Sequence, residues 1–153
     1  MSIAQFQGLL ESIEILNHGT NHGCEYAIYK LPEAPSVREA LDLYFSSLST
    51  SRQAAQSADY WHIQTSELGQ PWRSVLGEQL KHWFFEEEYS PKVDKSNQQA
   101  FVDRALNYLT QEIGEPNIFE VFVSPPMWYD CVWQDFALTS SMGRWMLHLG
   151  FSD

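Results

Sequence analysis

The sequence predicts an α+β fold: an antiparallel sheet of about five strands packed against three amphipathic helices. Three observations predict it. Strand-like runs cluster at both ends of the chain, and three apolar stripes of helical period stand between them. The third is size: 153 residues, 44% hydrophobic and 14% aromatic, suffice for one core, and no repeat or linker divides them, so residues 1–153 read as a single domain.

Taken in order, residues 11–16 alternate, with Ile13 and Ile15 on one side and Ser12 and Glu14 on the other, the period of a strand. A loop follows, Asn17-His18-Gly19-Thr20-Asn21-His22-Gly23, and residues 24–30 alternate again, giving a hairpin with a long connection. The first helix starts at a capping box, Ser36 with Glu39, after Pro35. Its stripe is Val37, Ala40, Leu41, Tyr44, Phe45 and Leu48. The Ser/Gln/Ala tract to Ala58 either extends this helix or frays into a loop, and residues 60–64 suit a short strand with Trp61 and Ile63 on one side.

A second helix opens near Pro71 and lines up Trp72, Val75, Leu76, Leu80, Trp83 and Phe84 before running into Glu86-Glu87-Glu88. A third is capped by Ser96 with Gln99, carries Phe101, Val102, Ala105, Leu106, Leu109 and Ile113, and stops at Gly114 and Pro116. Residues 118–123 are apolar on both faces, as in a central strand. Residues 131–138 and 144–149 form a last pair of strands joined through Thr139-Ser140-Ser141-Met142-Gly143. The helices are expected on one face of the sheet.

Nine basic against 20 acidic side chains leave a net charge of −11, which disfavours nucleic acid and anionic membranes as partners. It favours a basic protein partner. Two cysteines without paired spacing, no basic-then-apolar leader and no apolar stretch of membrane-spanning length point to a cytoplasmic protein with reduced thiols. No GxGxxG, GxxxxGK[ST], GxSxG or HExxH motif occurs, and no cofactor is implied.

Three constellations are candidates for chemistry. His18, His22 and Cys24 are metal-ligand types within seven residues, but the second half of a zinc motif is missing, so a turn that happens to contain histidines is the simpler account. Cys131, Asp135 and His148 are the parts of a thiol nucleophile with an oriented base. With the hairpin centred on Ser141, His148 faces Gln134, and Cys131 and Asp135 point to the other side; a one-residue shift puts His148 opposite Asp135. The third is Met127-Trp128-Tyr129-Asp130 behind Pro125-Pro126, together with Glu86, Glu87 and Glu88: aromatic and acidic residues of the kind that binding surfaces collect. From Asn107 onward six acids stand against one base, Arg144.

The leading expectation is a non-catalytic acidic binding protein, of inhibitor, immunity or adaptor type, docking a basic partner through that surface, with a homodimer compatible. The alternative is a small enzyme with a cleft at the C-terminal hairpin, using His148 with Asp135 or Cys131.

Overall fold

The computed structural model describes residues 3–18, 23–48, 61–69, 71–86, 92–125 and 129–152. The element order is α1 (Ala4–Asn17), β1 (Gly23–Lys30), α2 (Val37–Leu48), β2 (Gln64–Glu67), α3 (Trp72–Lys81) with a π-helical turn (His82–Glu86), α4 (Lys95–Ile113), β3 (Asn117–Phe122), β4 (Val132–Ser140) and β5 (Gly143–Ser152). The five strands form one antiparallel sheet in the order β1-β5-β4-β3-β2, so the α+β expectation holds. Among the described residues four α-helices pack on it rather than three.

The additional helix is α1, which replaces the strand expected over residues 11–16. Its buried residues are Phe6, Leu10, Ile13 and Asn17, spaced four, three and four apart, the stripe of a helix. Ile15, which suggested the alternation, is 75% exposed, and Leu16 is 61% exposed. The first turn of α1 is held from α4, whose Glu112 accepts the amides of Gln5 and Phe6 at 2.8 and 3.1 Å. The expected hairpin is thus a helix followed by a strand. Side chains of α1 also take hydrogen bonds from β1, with Tyr26 N–H donating to Glu14 Oε2 and Ile28 N–H to Gln7 Oε1.

The Ser36–Glu39 capping box forms as expected: the Glu39 amide donates to Ser36 Oγ and the Ser36 amide to Glu39 Oε2, both at 3.2 Å. The cap of α4 falls earlier than expected. Asp94, not Ser96, is its N-cap, and Gln98 donates to the Val93 carbonyl. Gly114, at φ +81°, closes the other end, as expected from Gly114 and Pro116. At the end of α3 the widened turn leaves the Trp83 and Phe84 carbonyls to Asn17 and Tyr26, which donate to them at 2.9 to 3.5 Å.

Strand β2 spans Gln64–Glu67, so the segment expected at 60–64 is displaced towards the C-terminus. Trp61 and Ile63 are buried beside the sheet outside any strand, and Tyr60 and the tract from 49 to 58 lie outside the described residues.

The sheet is covered on both faces, not one. One face packs α1, α3 and α4 through Tyr26, Ile28, Phe136, Leu138, Leu147 and Leu149. The other packs α2, Trp61 and Ile63 through Val121, Ala137 and Met146. This division follows from the period of two along β4 and β5. It also fixes the surroundings of Asp135 and His148, which share the α2 face.

Candidate functional site

The β4–β5 hairpin turns through two residues, Ser141 and Met142, with Ser140 opposite Gly143 at φ +140°. This is the shifted register, not the one centred on Ser141. Asp135 therefore pairs with His148, and both side chains point under α2.

His148 is 5% exposed and Asp135 fully buried. The imidazole Nδ1 lies 2.6 Å from Asp135 Oδ1, and Nε2 lies 3.3 Å from Asp130 Oδ2. The outer oxygens of the two carboxylates are also engaged. Tyr129 donates its hydroxyl to Asp135 Oδ2 at 2.7 Å, and the Cys131 amide donates to Asp130 Oδ1 at 2.9 Å. A carboxylate only accepts, so an imidazole bonded to one on each side must donate from both nitrogens, as an imidazolium does.

Burial disfavours that charge and is the largest single influence on it. The bonds to Asp130 and Asp135, with the charges of Asp135 and Glu25, outweigh it and raise the His148 pKa from 6.5 to about 9. Tyr129 is pushed far up from the ordinary phenol value by burial, then by Asp135. Its ring touches Phe45, Trp61, Trp133 and His148 with centroids 5.2 to 6.0 Å apart. Tyr129 thereby closes the cluster beneath α2.

The arrangement holds a charge. Both nitrogens of His148 face carboxylates, which leaves neither to take a proton from a substrate. Cys131 is exposed on the segment leading into β4 and joins the cluster through its backbone amide. A groove of about 520 Å³ lies at the Ser141 end of the sheet among Leu31, Glu115, Thr139 and Arg144, away from His148.

Of the expected binding residues, Asp130 is buried rather than displayed, because its carboxylate is drawn in by His148. Tyr129 is half-buried for the same reason. Glu86 is exposed and faces His82 across a turn at 3.4 Å. Glu87, Glu88, Met127 and Trp128 lie outside the described residues. The late excess of acids is also partly engaged within the fold: Glu112 caps α1, Glu115 accepts the Trp72 indole N–H, and Glu120 accepts from Gln134.

In the N-terminal constellation, the Cys24 thiol turns inward to the Glu14 carbonyl at 3.1 Å, and burial, then the Glu14 charge, pushes its pKa up to about 11, away from the thiolate that zinc binds. His18 is exposed at the end of α1, and His22 lies outside the described residues. Among the described residues, no group of three His, Cys, Asp or Glu side chains is placed to hold a metal ion, and no helix is long and apolar enough to cross a membrane.

One surface was not anticipated. Phe122 and Val132, 48% and 59% exposed, end β3 and begin β4 on the face shared with α3. Val132 pairs with Phe151, on which Trp83 packs at 5.5 Å, and the Trp83 indole donates to Gln134. At this end of the sheet Glu120, Phe122 and Gln134, with Trp133 from the α2 face, line a depression of about 200 Å³. The missed signal is the period of two, which puts Phe122 and Val132 on one face.

No family model and no curated protein matches this chain. Among solved structures, citrus MAF1 in one crystal form is 13% identical, with 94% of this chain and 96% of that one covered and a TM-score of 0.47. A second crystal form of citrus MAF1 gives 14% identity, 94% and 98% coverage, and a TM-score of 0.42.

Proposed function

We propose that this chain is a non-catalytic binding protein, of inhibitor, immunity or adaptor type, that docks a basic protein partner. The observation that carries the reading is the sheet end at Phe122 and Val132. Exposed Phe122 and the half-buried Trp133 wall a depression that Glu120 also lines, exposed Val132 begins the neighbouring strand, and the chain carries a net charge of −11. Apolar walls beside a carboxylate suit the stem and head of a partner's lysine or arginine. The net charge would speed its approach. The closed hydrogen bonding around His148 supports a binding role over a catalytic one.

Affinity capture from native lysate tests this with wild-type protein and the Phe122→Ser/Val132→Ser variant, at low and moderate salt. The expected result is a basic protein that is retained at low salt, lost as salt rises and recovered poorly by the variant. Recovery of self-copies alone would replace the reading with a homodimer. A partner held equally by the variant would remove this surface from it.

A further inference from the structure

The connection from β3 to β4 ends in Tyr129, Asp130 and Cys131, and three polar contacts fix these residues on the sheet. Tyr129 is bound to Asp135, Asp130 to His148, and the Cys131 amide to the Phe151 carbonyl at 3.0 Å. Gly150 completes the seat, since a Cβ there would overlap the Asp130 carboxylate.

We propose that the protonated His148 ring is a clasp that seats Tyr129–Cys131 on the sheet, and that removing its proton releases this segment while the β4–β5 ladder stays intact. A neutral imidazole keeps one N–H. Held by the shorter contact to Asp135 Oδ1, that hydrogen leaves the Nε2 lone pair facing the Asp130 carboxylate without water between them, a buried acceptor pair that costs free energy. Among the described residues, the surroundings add no compensating positive charge. The groups acting on His148 are Glu25 of β1, Asp135 of β4, and Tyr129 and Asp130 of the connection, and Tyr29 of β1 and Tyr44 of α2 act on Tyr129 behind them, all acidic or neutral. Tyr129 is half-buried and Cys131 exposed, so the segment that carries Asp130 lies at the margin of the cluster. The inference is independent of the proposed docking function.

Nitrogen-detected NMR of the wild-type protein reads the state of the ring directly, and amide exchange reads the seat. At neutral pH both His148 nitrogens should be protonated. As the ring titrates, the Cys131 amide should lose about tenfold or more of its protection while Met146 and Leu147 keep theirs. Asp130→Asn should lower Cys131 protection at neutral pH and flatten its pH dependence. A single protonated nitrogen at neutral pH would overturn the proposal. So would Cys131 protection that ignores the titration, or a loss shared equally by Met146 and Leu147.

Discussion

Asp130 occupies the space that a side chain on Gly150 would need. An ideal Cβ on Gly150 would overlap the Asp130 carboxylate and stand 2.9 Å from His148 Nε2. Gly150→Ala should therefore destabilise the fold by about 1–3 kcal/mol in urea unfolding, as overpacked sites do. With Asp130→Ala already in place the same change should cost much less, and the double-mutant cycle measures the difference. Strictly additive costs would show that the two residues do not compete for this space.

The charge on His148 makes stability depend on pH in a stated direction. Its pKa is 6.5 when unfolded and about 9 when folded, so the folded form binds the extra proton. The contribution is complete below pH 6.5 and disappears as pH rises towards 9, with a span on the order of 3 kcal/mol. Urea midpoints across this window should fall with rising pH. Replacing both Asp130 and Asp135 by Asn should shrink the fall, and an unchanged slope in that variant would assign it to other groups.

On its outer edge β1 is covered by its own helix, through Gln7 and Glu14. Gln7→Ala with Glu14→Ala strips two amide partners and should cost about 1–3 kcal/mol. It should also open an edge to pairing with other chains, visible as concentration-dependent light scattering. A variant of lower stability that stays monodisperse would mean the edge is guarded by something else.

The two thiols should behave differently. Cys24 is buried and its pKa pushed up to about 11, whereas Cys131 is exposed. A thiol reagent at neutral pH should modify one cysteine in the native protein and the second only after denaturant is added. Two equally fast reactions in the native state would place Cys24 at the surface.

The helices were legible where their apolar stripes were unbroken. Val37 to Leu48, Trp72 to Phe84 and Phe101 to Ile113 each carry enough apolar residues at helical spacing to exclude a strand. The first helix was not, because Ile13 and Ile15 imitate alternation over a short window while Phe6 and Leu10, which complete the helical stripe, lie before it. The site turned on a single residue of register. A turn over residues 139–143 admits two centrings, and only one puts His148 beside Asp135. Asp130 read as surface acid because nothing local marks its direction. Its sequence signal is long-range: a His and a Gly two apart on β5, on the face where the pairing of Trp133 with Gly150 brings the start of β4 close.

The strand order β1-β5-β4-β3-β2 has a consequence for the newborn chain. Among the described residues, strand pairing of residues 23–30 is with residues 143–152, so during synthesis β1 waits, with α1 beside it, until more than a hundred further residues have been made. The β2–β3–β4 half of the sheet can assemble meanwhile. Completion of the sheet, and closure of the chamber around His148, waits for β5, a long-range pairing of the slow kind.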